Sequence, residues 1–150
     1  TVTHDVDIGH VGRVDQIDPA VIDAVEKAGF VAVIAPSGVG DDGLTYNINA
    51  DTVASGIASR LMVEKLVILT DDAGVLDQEG KLISSLTTSE IPALVEGGVV
   101  TGGMIPKLEC CRDALEAGVK KAHIVDGRLP YSIMLELFTD SGVGTQIVKG

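Results

Sequence analysis

Leu66-Val67-Ile68-Leu69-Thr70-Asp71-Asp72 is the stretch that decides the architecture. Its apolar run has the form of a strand inside a parallel sheet covered by helices. The run stops at a hydroxyl and two carboxylates, so polar groups gather at the strand's carboxyl end. Two further runs share this form. Phe30-Val31-Ala32-Val33-Ile34-Ala35, expected as a central parallel strand, leads into Pro36-Ser37-Gly38, and Ala122-His123-Ile124-Val125 leads into Asp126-Gly127. Ligands of open α/β sheets bind outside the carboxyl ends of the strands, which makes these polar endings the first candidates for a site.

Helical spacing fills the intervals. Asp18-Pro19 opens a helix with Val21, Ile22 and Val25 on its apolar stripe and Gly29 as its stop. Residues 36–46 are rich in Gly and Asp and read as a loop. Asn49 caps a second helix carrying Val53, Ile57 and Leu61. Val75-Leu76 and Leu82-Ile83 flank Asp77-Gln78-Glu79-Gly80 as a hairpin. A short helix is expected over 88–96 and a longer one near 106–117, with Leu108, Cys111 and Leu115 on one face. Pro130 opens another, with Ile133, Met134 and Leu137, and Gln146-Ile147-Val148 closes as a strand. The alternation predicts an α/β three-layer sandwich with a mainly parallel sheet, built as one domain over residues 1–150. A strand-like stretch, 1–8, begins the chain without an initiator Met.

Composition narrows the function classes. At 45% apolar residues and a mean hydropathy of +0.34 the chain is no disordered segment. Aromatics make up only 3%, so Val, Ile, Leu and Ala must form the core. A net charge of −11 excludes nucleic acid and anionic membrane surfaces as partners, and no apolar run approaches a membrane span. Cys110 and Cys111 are neighbours that cannot form an ordinary structural disulfide on a helix. Reduced core cysteines are expected, which places the protein in the cytoplasm.

Three constellations could carry chemistry. Asn47-Ile48-Asn49-Ala50-Asp51 brings two amides and a carboxylate to a helix start. Capping by Asn49 and complementing of the helix dipole by Asp51 explain two of them, and Asn47 is left over. In Gly102-Gly103-Met104-Ile105-Pro106-Lys107 the glycines allow close approach of backbone to a ligand, and the helix start attracts anions. Lys107 sits where the helix dipole disfavours a cation, which suits a site shared with a phosphate; an ordinary exposed lysine is the other reading. Thr70-Asp71-Asp72 could accept hydrogen bonds from a ribose or base, ligate a metal, or simply begin a turn. No Walker A run, Gly-x-Gly-x-x-Gly, nucleophile elbow or zinc-spaced Cys/His set occurs.

In their order and spacing these motifs, with Gly74-Val75-Leu76 completing the middle one, resemble the amino acid kinase family, and within it the acetylglutamate kinases. The resemblance runs over essentially the whole chain. It implies the carbamate kinase-like fold, in its later, nucleotide-binding half. It further implies phosphoryl transfer from ATP to the γ-carboxylate of N-acetyl-L-glutamate, the second step of arginine biosynthesis, with Mg²⁺. Asn47 and Asn49 would hold the acetylglutamate, and Asp51 would orient catalytic lysines. Lys107 would sit on the transferring phosphoryl group, and Thr70, Asp71, Gly103 and Met104 around the nucleotide. The lysine- and glycine-rich segment with which such enzymes begin has no counterpart here, nor do the glycine and arginine positions that receive the substrate. The acetylglutamate-binding part is therefore expected to be missing, and the isolated chain inactive or nearly so.

His123, Glu136 and Gly142 resemble the arginine-sensitive branch of that family. The resemblance implies feedback inhibition by arginine, a homo-oligomer at full length and, in some relatives, a PII-type regulator. Glu136 and the carbonyls near Gly142 could meet a guanidinium; a surface carboxylate beside a glycine turn is the plain alternative. Other acceptors (carbamate, aspartate or UMP) and a non-catalytic module binding ATP or arginine complete the readings.

Overall fold

A computed structural model describes residues 9–150; the strand expected over 1–8 lies outside them. Chain order is α1 (Ala20–Lys27), β1 (Ser37–Val39), β2 (Thr45–Asn47), α2 (Ala50–Leu61), β3 (Lys65–Thr70), β4 (Ser85–Thr87), α3 (Ile91–Glu96), α4 (Met104–Glu116), β5 (Lys121–Asp126), α5 (Ser132–Phe138) and β6 (Thr145–Val148). The principal sheet has the order β3-β5-β6-β4. β3 runs parallel to β5, from Lys65 opposite Lys121 to Thr70 opposite Asp126. β4 runs parallel to β6, and β5 meets β6 antiparallel.

Strand alternation builds the layers. Ala122 and Ile124 of β5 join Leu108, Cys111, Ala114 and Leu115 of α4 in the core. His123 points the other way and meets Glu136 of α5. Thus α4, with α2 packed beside it, covers one face, and α5 the other: an α/β sandwich of three layers, as the sequence predicts. Leu108, Cys111 and Leu115 are all buried, and each such leucine contributes about 1.5–3 kcal/mol by leaving water. Burial also pushes the Cys111 thiol up to about 12, and both cysteines are free thiols.

Helix starts follow local chemistry. Asn49 Oδ1 accepts from Thr52 N at 3.1 Å, the expected cap of α2. α4 begins earlier than predicted, at Met104, because Pro106 lies in the first turn, where its missing N–H costs no intrahelical bond. Asp77 organises the expected hairpin, accepting from Glu79 N and Lys81 N at 2.9 Å.

Four expectations need correction. Residues 30–35 form no strand; Val31 is 89% and Val33 95% exposed, and among the described residues no neighbouring strand pairs with them. Residues 36–46 are not a plain loop, since β1 and β2 pair antiparallel, Ser37 opposite Asn47, around a turn in which Gly43 takes φ +78°. The expected helix over 88–96 shortens to α3, because Glu90 turns back to accept from Thr87 N and Oγ1 at 2.7 Å. Lastly, α5 buries Ser132 and Glu136 while Ile133 and Met134 face outward, so its polar face packs on the sheet.

Candidate active site

The short connections from α2 to β3 and from α4 to β5 reverse the chain. Each helix therefore starts at the carboxyl end of the strand it feeds. Two cross-links fix how the helices lie together. Lys107 Nζ donates to Asp51 Oδ2 at 2.8 Å, and one turn further along both helices Ser55 Oγ donates to the Cys110 carbonyl at 2.8 Å. Both contacts advance toward the carboxyl ends, so α2 and α4 run side by side in the same sense. Their positive amino ends lie together at the ligand end of the sheet.

The Asp51–Lys107 pair is partly sheltered, with side-chain exposures of 19% and 21%. It is wet enough to escape the desolvation penalty of a buried ion pair and dry enough to hold its geometry. Beside it, Gly102 adopts φ +56°, and a side chain at Gly102 or Gly103 would meet no atom within 4 Å. The backbone ahead of α4 thus faces open space. The side chain of Met104 instead packs against the core, so what it can offer this space is backbone.

The remaining predicted residues fall as follows. Asn49 is committed to its cap. Asn47 is exposed at the end of β2; its backbone accepts from Gly12 N at 2.9 Å and donates to the His10 carbonyl at 2.8 Å. Thr70 ends β3 nearly buried, and its carbonyl accepts from Gly127 N at 2.8 Å. Asp71 follows, exposed, beside Asp72. Asp126, one of the polar strand endings, meets Arg128, to which the sequence reading gave no role at this edge, in a two-pronged pair, Nε to Oδ1 and NH2 to Oδ2, both 2.9 Å. The Arg128 hydrogen bonds hold the Asp126 carboxyl below its ordinary value. The Asp-x-Arg spacing was the available signal.

On the other face of the sheet His123, Glu136 and Gly142 come together. His123 Nδ1 lies 2.7 Å from Glu136 Oε1, and Glu136 Oε2 accepts from Val143 N at 2.7 Å and Gly144 N at 2.9 Å. Gly142 has φ +62°, and a Cβ there would stand 2.6 Å from Glu136 Oε2, so this approach requires glycine. Burial raises the Glu136 carboxyl, but the Val143 amide, His123 and the Gly144 amide together outweigh it and hold the group below its ordinary value. His123 Nε2 is buried with no hydrogen-bond partner. Glu136 is therefore no surface carboxylate.

Fold and site define an α/β protein that presents two helix amino termini, a glycine pair and a braced lysine at the ligand end of its sheet. The sequence model of the amino acid kinase family matches residues 1–126, and the chain belongs to that family. It is 59% identical over 145 residues to an acetylglutamate kinase of Geobacter sp. (strain M21), covering 97% of this chain and 50% of that protein. The chain thus spans about half the length of the curated relatives it matches. An N-acetylglutamate synthase of Neisseria gonorrhoeae, solved with coenzyme A and L-arginine, superposes with TM-score 0.89 at 30% identity, over 99% of this chain and 35% of that one. A carbamate kinase of Giardia lamblia superposes with TM-score 0.69 at 22% identity, over 93% of this chain and 47% of that one, and shows the carbamate kinase-like fold.

Proposed function

We propose that this chain is the nucleotide-facing part of an acetylglutamate kinase, which transfers the γ-phosphoryl group of ATP to the side-chain carboxylate of N-acetyl-L-glutamate. The observation that carries this is the 2.8 Å Asp51–Lys107 bridge at the joined amino ends of α2 and α4. The 59% identity to an acetylglutamate kinase supports the choice of acceptor.

The chemistry asks little of a base. The acceptor carboxylate is already ionised at neutral pH. The barrier lies in bringing that anion against a charged phosphate, so catalysis is positioning plus neutralisation of charge. Lys107 supplies the cation, aimed by Asp51. The amides ahead of α4 receive phosphate oxygens in the open space at Gly102 and Gly103. Thr70 and Asp71, at the end of β3, would meet the nucleoside, and Asn47, exposed at the end of β2, would meet the acetylglutamate, with Asn49 holding the helix start. Among the described residues no three His, Cys, Asp or Glu side chains group as a metal site. Mg²⁺ would therefore arrive with the phosphates, which is its usual habit in such enzymes.

The rest of the acetylglutamate pocket belongs to the other half of the enzyme's length, so the isolated chain should turn over little or nothing. In the complete kinase Lys107→Ala should lower kcat by roughly 100-fold or more with a much smaller change in KM. Unchanged turnover would sink the assignment.

Arginine is proposed as a feedback inhibitor acting at His123, Glu136 and Gly142. Burial of the carboxylate against the 142–144 loop supports a ligand-sensitive latch, and the synthase that superposes on this chain was solved with L-arginine. Glu136→Ala in the complete kinase should abolish inhibition and leave most uninhibited activity; retained inhibition removes this role. Assembly into a homo-oligomer and docking of a PII-type regulator belong to the same proposal, with exposed Tyr131, Met134 and Phe138 around α5 as apolar contact surface. No helix of the described residues is long and apolar enough to cross a membrane, in keeping with a proposed cytoplasmic enzyme.

A further inference from the structure

Thr145 opens β6 with no exposed surface at all, and its hydroxyl has two partners far away in sequence. Oγ1 accepts from Val75 N at 2.9 Å and donates to the Ile83 carbonyl at 2.7 Å. A hydroxyl has one hydrogen to give, and here it goes to that carbonyl. Val75 and Ile83 are the facing arms of the hairpin, already joined by Ile83 N donating to the Val75 carbonyl at 2.8 Å. An antiparallel pair of this kind would ordinarily exchange a second bond, from Val75 N to the Ile83 carbonyl. The Thr145 hydroxyl sits inside that second bond and completes it through itself.

Two further facts give this insertion a direction. The chain between β3 and the hairpin is Asp71-Asp72-Ala73-Gly74. Its near end is tied where Gly127 N donates to the Thr70 carbonyl at 2.8 Å. Its far end is tied at Val75 N. Gly74 rests directly on Thr145: a Cβ there would come within 2.8 Å of Oγ1 and 3.3 Å of the Thr145 amide nitrogen, at φ +138°. The exposed turn is thus a short span held at both ends, and Thr145 of β6 holds the end farther from β3.

We propose that Thr145 is a positioning residue for nucleotide binding, whose hydroxyl sets the turn 71–74 against the ligand end of the sheet. This rests on the nucleotide-facing assignment of Thr70 and Asp71. The neighbouring amides of Val143 and Gly144 are held by the Glu136 carboxylate, so one short segment carries both the His123–Glu136 contact and the anchor of the turn.

The test is made in the complete kinase with Mg-ATP as probe. Thr145→Val keeps the shape and removes both hydrogen bonds. It should raise KM and the dissociation constant for ATP by about 3–10-fold, the worth of a lost hydrogen bond, with kcat within about twofold. Thr145→Ser retains the hydroxyl and should restore ATP affinity. A purely structural role would instead lower the active fraction and leave KM alone. Asp71→Ala separates the two assignments. If it weakens ATP binding while Thr145→Val does not, the positioning role is overturned and the nucleotide site stands; if neither matters, both fall. Should Thr145→Val not fold, amide exchange at Val75 in the unaltered enzyme decides. Protection that deepens on adding Mg-ATP supports the role, and exchange at the rate of an open loop overturns it.

Discussion

Residues 30–35 and residues 66–70 are runs of closely similar composition, and they differ completely in what the fold makes of them. The second becomes β3, with Leu66 and Ile68 buried under the helices and β5 paired along its length. The first, Phe-Val-Ala-Val-Ile-Ala, leaves Phe30, Val31 and Val33 in solvent. The contrast teaches that an apolar run records a capacity for burial, while its neighbours decide whether burial occurs. A lone strand has no ladder partner and no second layer, and is not stable by itself. Near it the structure holds a cavity of about 730 Å³ among Ile17, Val21, Ile34, Ile48 and Ile57. The apolar stripe of α1 thus faces space, where that of α4 faces a sheet.

Substitutions put numbers on this contrast. The largest effect is expected at Ile124, buried at the centre of β5: Ile124→Ala should destabilise the 150-residue chain by about 2–5 kcal/mol in urea unfolding. A cost near zero would mean that the sheet half is no better packed than the first region. Glu136→Gln comes next, at about 1–3 kcal/mol near pH 7. The fold holds this carboxyl below its ordinary value of 4.5, so its contribution is present above that value and fades as pH falls through the lower folded value. The difference between wild type and Glu136→Gln should therefore shrink on acidification below about pH 4.5, measured as midpoints of unfolding across pH; a difference that grows would reverse the sign. The smallest effect belongs to Val33→Ala, within about 0.5 kcal/mol. A cost resembling that at Ile124 would break the contrast outright. In the complete kinase the same substitution sharpens it, because a cost above about 1 kcal/mol would show that the run gains a partner there.

The sheet half was legible because its period and its punctuation agree. Residues 66–70, 122–125 and 146–148 are all strands, and the spacing of Leu108, Cys111 and Leu115 marks the buried face of α4. β4 was not legible: Ser85-Leu86-Thr87 is too short and too polar to signal, and it exists because β6 offers it an edge. The hairpin of β1 and β2 was hidden by its own glycines, although Asp42-Gly43 between Val39 and Thr45 is a recognisable turn. α5 misled for a physical reason. Ile133 and Met134 mark a plausible inner face, but the hydrogen bonds gathered by Glu136 from His123, Val143 and Gly144 turned the helix over. At the site, the family resemblance put Asp51 beside a lysine, and Asp51 meets Lys107; it grouped His123 and Glu136 without foretelling that they bond to each other. Ser55 and Thr145 could not be foretold, since a small hydroxyl bonded across the fold leaves no pattern in its neighbourhood.

Cys111 gives the site helix a clock. Its thiol is fully enclosed beneath α4 and held protonated far above neutral pH, so a thiol-specific reagent reacts with it only in moments when the helix lifts from the sheet. Lys107 rides on the same helix one turn earlier. The labelling rate at Cys111 therefore counts how often the lysine loses its seat, and any ligand that closes the site should slow the count.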